Sequence, residues 1–327
     1  MKNSFIIFLS ACFYLSCQEK LPETKPEVIR IGYQIGHFPC IVAKHNRFFE
    51  EEFKNDSIRI EIRKFDYGPP EMEAFNAKRL DIGTIGDQPA LVAWAKGVDI
   101  KVVANSNGGE ERMALLIPKN SNIKSFNELK GKKIGITIGA NTQHFLHILL
   151  KKEGWTMDDI EPVNLKFSDC IASLGERLID ASIVNEPYIA LCLYRNTAKL
   201  LFYSSGYKYV TLPIVANSEF IEHYPDIVVR LLNVYRKSAI WAREHPDLTT
   251  EILLKEENNL LPREVDNLLI DKSTNNFDLR QREIQAFKET FEYLKETSII
   301  KGYPDFNAFY VTKFDSIAAL AFPNPDK

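Results

Sequence analysis

The sequence predicts an α/β protein of two similar lobes, with mixed, mainly parallel sheets flanked by helices. Two observations carry that expectation. From Val28 onward, short runs of β-branched and apolar residues alternate with longer segments of helical periodicity, the pattern of sheets covered by helices. The rhythm breaks once, at Asn105-Ser106-Asn107-Gly108-Gly109, and then restarts as a second set of similar units. In the first set, strands are expected at 28–33, 58–65, 80–85 and 100–104, with helices at 41–53, 70–77 and 88–95. In the second, a strand at 113–117 leads to strands at 133–137, 162–165 and 181–184 and helices at 142–153, 169–178 and 187–194. Segments 199–203 and 210–217 read as the return crossing, and helices at 225–243 and 279–297 as buttresses. The first buttress presents Ile227, Val228, Leu231, Leu232, Tyr235 and Ala242 at helical spacing, so that face should meet a core. The expected division is 28–106 with 214–327 as lobe I, and 107–213 as lobe II.

The first residues carry a different message. Met1-Lys2-Asn3-Ser4 precedes an apolar run that is too short for a membrane span, which needs about 20 apolar residues, but suits the core of a signal peptide. Two cysteines follow. Leu9-Ser10-Ala11-Cys12 has the letters of a lipid-modification site, whereas Tyr14-Leu15-Ser16-Cys17 leaves a longer apolar core, so Cys17 is the expected lipidated residue. Residues 1–17 then form a lipoprotein signal peptide, and 18–27, polar and containing Pro22 and Pro26, a flexible tether. The chain is expected to be exported and lipid-anchored to a bacterial membrane, facing the periplasm or cell exterior. With 45% hydrophobic and 26% charged residues the rest of the chain can bury a substantial core, and a net charge of -3 gives no nucleic-acid footprint. Cys40, Cys170 and Cys192 are odd in number and lack metal-ligand spacing, so they are assigned to packing.

In α/β sheets, ligands gather beyond the carboxyl ends of strands, where helix N-termini converge. After the first expected strand come Gln34 and His37, with Gly36 between them permitting an unusual turn. After the third come Gly86, Asp87 and Gln88, with Asp87 placed to cap the next helix. After 133–137 come Gly139, Ala140, Asn141, Thr142 and Gln143, where Asn141 or Thr142 would cap a helix whose free N–H groups suit an anion. His144 and His147 share a helical face, but no third ligand stands nearby, so neither a metal nor a cofactor is expected. No nucleophile elbow, phosphate loop or dinucleotide fingerprint occurs, and no catalytic residue is assigned.

Three segments, taken in order, carry a family resemblance. They are Phe65-Asp66-Tyr67-Gly68-Pro69-Pro70-Glu71-Met72-Glu73-Ala74-Phe75 continuing through Leu80-Asp81-Ile82-Gly83-Thr84-Ile85-Gly86-Asp87-Gln88-Pro89-Ala90, then Leu129-Lys130-Gly131-Lys132-Lys133-Ile134-Gly135, and Leu178-Ile179-Asp180-Ala181-Ser182-Ile183-Val184-Asn185-Glu186-Pro187-Tyr188. Over roughly 28–245 the chain resembles the periplasmic solute-binding proteins of ABC importers for aliphatic sulfonates, taurine and nitrate. These share a fold with the pyrimidine-precursor proteins of thiamine metabolism, the NMT1/THI5-like superfamily.

The resemblance implies a type II periplasmic-binding-protein fold, a monomer whose lobes close on a small solute and dock on a permease with its ATPase. It adds Asn185 and Glu186 to the cleft, beside Gln34, His37, 86–88 and 139–143, and places hinges near Asn105 and Gly206. Asp87 and Glu186 would oppose a simple inorganic anion, and no arginine stands in the loops that follow the expected strands. The expected solute therefore combines an acidic head with an amino or hydrogen-bonding group, as in taurine-like sulfonates, or is an aminopyrimidine. The alternatives are a thiamine-pyrimidine synthase-like enzyme, against which export counts, and a sensory surface lipoprotein.

Overall fold

The computed structural model describes residues 25–256, 279–302 and 304–314; the expected signal peptide, Cys17 and most of the tether lie outside the described residues. Ten strands form two five-stranded sheets. The first contains β1 (Val28–Gln34), β2 (Arg59–Phe65), β3 (Ile82–Thr84), β4 (Ile100–Gly109) and, much later in the chain, β10 (Val210–Asn217), in the order β2-β1-β3-β10-β4. The second contains β5 (Met113–Pro118), β6 (Lys133–Ile136), β7 (Glu161–Asn164), β8 (Ala181–Asn185) and β9 (Ala198–Tyr203), in the order β7-β6-β8-β5-β9. Each sheet has one antiparallel strand, β10 in the first and β5 in the second. Those two strands bring the chain in from the other lobe, so the two halves repeat one plan.

Helices follow the parallel strands. α1 (Phe38–His45), α2 (Phe48–Phe53), α3 (Gly68–Asn76) and α4 (Asp87–Ala95) belong to the first lobe, and α5 (Asn141–Lys152), α6 (Phe167–Gly175) and α7 (Tyr188–Tyr194) to the second. After β10 come α8 (Ser218–His223), α9 (Pro225–Glu244), α10 (Pro246–Glu256) and α11 (Gln281–Glu296). The central strands are apolar on both faces because helices cover both sides. On β5, Met113, Leu115 and Ile117 pack with Phe145 and Leu149 of α5, while Ala114 and Leu116 pack with Ile171 and Leu174 of α6. That is why β5 reads as an unbroken apolar run. Each such side chain contributes roughly 1.5–3 kcal/mol by leaving water. The six apolar residues expected on one face of α9 are all buried, against Ile29, Ile31 and Tyr33 of β1.

Three expectations are corrected. The helix expected at 41–53 is two helices, because Arg47 takes a left-handed conformation with φ of 57° and turns the chain between α1 and α2. Asn105 to Gly109 is not a break but the end of β4, paired with β10 from Asn105 opposite Pro213 to Gly109 opposite Val210. Pairing with a distant strand outweighs the poor strand propensity of Asn and Gly. The connections between sheets are 110–112 and 204–209, and Asn105 lies within a ladder. The expected divisions at 106/107 and 213/214 accordingly fall inside β4 and β10.

A cleft at the strand ends

Parallel strands in one lobe all end at one edge, and the helices that follow them begin there. A cavity of about 50 Å³ lies where the two such edges face each other. The first turns of α1, α3 and α4 from the first lobe, and of α5, α6 and α7 from the second, meet its wall through His37, Gly68, Gly86, Asn141, Phe167 and Tyr188. None of these six helices is capped by its own N-cap side chain. By contrast α8, away from the cavity, is capped by the Asn217 carboxamide, which accepts from the N–H groups of Glu219 and Phe220. Uncapped first turns leave partial positive charge aimed at a shared space, which favours an anion.

Of the residues singled out from sequence, Gln34, His37, Gly86, Ala140, Asn141, Asn185 and Glu186 line this cavity. Gly36 has a φ of +96°, and a Cβ there would sit 3.4 Å from the carbonyl oxygen of Glu186, so glycine lets the two lobes' loops come together. Asn185 Nδ2 donates to Asn141 Oδ1 at 3.0 Å, which leaves Asn141 Nδ2 and Asn185 Oδ1 buried without partners. His37 Nδ1 is likewise buried and unpartnered. Burial pushes the His37 imidazole down to about 3, with the Arg112 charge adding to the effect, so the ring is neutral. Glu186 turns one oxygen into the first turn of α7, where Oε2 accepts from the N–H of Ala190 at 3.1 Å. Buried polar atoms without partners are few in folded proteins, and a group of them around one cavity marks a place for a polar solute.

The other candidates stand elsewhere. Gln88, Gly139 and Gln143 flank a neighbouring groove, where Gln143 Oε1 accepts from Gln88 Nε2 at 3.2 Å and from the Gly139 N–H at 2.9 Å. The first of these bonds links α4 of one lobe to α5 of the other. Asn141 and Thr142 do not cap α5, whose N-cap is Ala140; both already lie in the helix, and the Thr142 hydroxyl is buried without a partner. Asp87 does not cap α4 from outside either, because Gly86 holds that position. Its carboxylate is wholly buried and accepts from Lys208 Nζ and Thr290 Oγ1, both at 2.8 Å. Asp87 thus contributes no net charge to the cleft.

The sequence reading missed Arg112. This residue lines the cavity, is almost wholly buried, and carries a positive charge that burial opposes and Glu186 supports. The search for an arginine looked after each strand, but Arg112 precedes β5. Because β5 runs antiparallel to its neighbours, its beginning lies at the edge where the parallel strands end. An antiparallel entry strand was the signal that could have found it. Tyr67, Phe167 and Tyr188 also line the cavity unforeseen, each at or beside the start of a helix.

His144 and His147 pack on Tyr293 of α11, the first stacked with ring centroids 4.3 Å apart. Burial pushes the thiols of Cys40, Cys170 and Cys192 up to about 12, 11 and 12, which keeps them protonated in the core.

Comparisons with known proteins agree with this architecture. The NMT1/THI5-like family model matches residues 34–249. The chain is 30% identical over 316 residues to a Bacillus subtilis protein named for binding aliphatic sulfonates, spanning 92% of each chain. It superposes on the periplasmic aliphatic sulphonate binding protein of Escherichia coli with a TM-score of 0.78 at 23% identity, covering 87% of this chain and 97% of that one. It also superposes on the alkanesulfonate-binding protein of Xanthomonas axonopodis pv. citri, bound to MOPS, with a TM-score of 0.79 at 22% identity, covering 88% and 99%. These two likenesses identify the two-lobed periplasmic-binding-protein fold.

Proposed function

The chain belongs to the NMT1/THI5-like family, and from that premise we propose that it is an exported binding lipoprotein that captures a small alkanesulfonate and delivers it to an ABC permease. It binds without turnover. The observation that supports this reading is the placement of Arg112, the unpartnered donor Asn141 Nδ2 and the unpartnered His37 Nδ1 around a cavity built on helix N-termini. A sulfonate head offers three acceptor oxygens and one charge, which suits that set. With Asp87 neutralised by Lys208, the carboxylates left on the cavity wall are Asp66 and Glu186, and the Glu186 charge is coupled to Arg112. The lobe built on the first sheet (β1–β4 with β10) and the lobe built on the second (β5–β9) would part and close about the connections at 110–112 and 204–209.

Calorimetry on the purified protein tests the solute. Ethanesulfonate or taurine should bind with micromolar affinity or better, while nitrate and an aminopyrimidine show no heat. Tight aminopyrimidine binding with no response to either sulfonate would move the protein to the thiamine-related branch of the fold.

Among the described residues no helix is long and apolar enough to cross a membrane. Membrane attachment in this reading is through a lipid on Cys17. Replacing Cys17 by serine should shift the protein from the membrane fraction to the soluble fraction; intact-mass analysis placing the lipid on Cys12 would relocate the anchor.

A further inference from the structure

Gln34 ends β1 at the cleft, and what its amide shows to a solute is set from behind. Its Nε2 donates to Oε2 of Glu71 at 2.7 Å. Glu71 stands on α3, wholly buried, in a niche that two glycines keep open: a Cβ on Gly32 would lie 2.7 Å from Glu71 Oε1, and one on Gly83 only 2.5 Å from it. Any larger residue at either position would evict the carboxyl. Glu71 Oε1 has no hydrogen-bond partner, so the carboxyl sits in apolar surroundings with Gln34 as its one side-chain bond. Burying such a group is costly.

We infer that Glu71 is a positioning residue for solute selection: by holding the Gln34 NH2 group it leaves the Gln34 carbonyl oxygen to the cleft, where it accepts a hydrogen bond from an amino group on the solute. The inference rests on the sulfonate reading above and narrows it to aminosulfonates. An amide free to turn over would show its NH2 to the anionic head instead, and Glu71 removes that option. Burial pushes the Glu71 carboxyl up to about 8, against the opposing pull of the Gln34 hydrogen bond. As a carboxylate Glu71 only accepts, which fixes the amide with its NH2 group inward; as an acid its O–H can donate to the Gln34 carbonyl oxygen instead, so the orientation is held above about pH 8 and released below it. The titratable groups that sense Glu71 are the Cys40 thiol on α1 and the Tyr235 hydroxyl on α9, both raised by burial and therefore uncharged. Neither competes for the Gln34 amide.

Taurine and ethanesulfonate differ only in the amino group, so the ratio of their affinities reads this contact directly. By calorimetry at about pH 8.5, where Glu71 is mainly ionised, the wild-type protein should prefer taurine by roughly tenfold or more. Glu71→Met and Gln34→Met should each reduce that preference to about threefold or less, and the double variant should reduce it no further. Glu71→Gln, whose amide can offer either atom to Gln34, should move the ratio in the same direction and serves if the methionine variant does not fold. Preference for ethanesulfonate in the wild type, or an unchanged taurine preference in the folded Glu71 variants, would overturn the inference and leave the sulfonate reading intact. Binding of neither solute would overturn that reading, and the inference with it.

Discussion

Arg112→Met is expected to weaken binding of ethanesulfonate and taurine by on the order of a hundredfold, about 3 kcal/mol. The guanidinium is buried at the start of β5, where water competes weakly for it, and it is the one cation among the described residues that line the cavity. Removing it also takes away the positive charge beside Glu186, whose N–H donates to the Arg112 carbonyl at 3.0 Å. Methionine preserves most of the apolar stem, so packing beside β5 should hold. Calorimetric titration gives the affinity, and a thermal melt of the variant separates loss of binding from loss of fold. Affinity within threefold of wild type, in a variant that melts normally, would remove Arg112 from solute recognition.

Lys208→Met is expected to destabilise the fold by roughly 3–5 kcal/mol, because it strands the Asp87 carboxylate in a site with no access to water. Lys208 and Asp87 have 2% and 0% of their side chains exposed, and Thr290 Oγ1 completes the group at 2.8 Å from Lys208 Nζ. These three residues come from the second connection, from the start of α4 and from α11, so the loss should be felt across lobe I. Denaturant unfolding measures it. Adding Asp87→Asn to Lys208→Met should recover much of the deficit, since the uncompensated charge is the main cost rather than the missing attraction. A single variant within 1 kcal/mol of wild type would show that water reaches Asp87.

These two residues also show where sequence reading succeeded and where it did not. The alternation of strand and helix is a local pattern, and it correctly located nearly every element from β1 to β10. The rule that ligands meet strand ends pointed to Gln34, His37 and Asn141, which line one cavity because each stands within a few residues of such an end. Arg112 escaped because strand direction is a property of pairing, and nothing within 110–118 announces that β5 runs against its neighbours. Asp87 was read as a cleft charge because its partner lies 121 residues away. Glu71 carries no local signal, because the niche it fills is opened by Gly32 and Gly83 from two other strands. Asn105 to Gly109 failed for a related reason: a strand built from Asn and Gly exists only where β10 is present to pair with it.

In the empty protein, closing brings the uncapped ends of α1, α3 and α4 in one lobe against those of α5 and α6 in the other, like poles face to face, while Glu186 already serves α7. An anion placed between them is a counter-ion shared by both halves, and it converts mutual repulsion into joint attraction. A neutral molecule of the same shape could fill the space, yet it would leave the halves pushing apart. Discrimination of this kind is exercised through the work of closing as well as through contact with the solute.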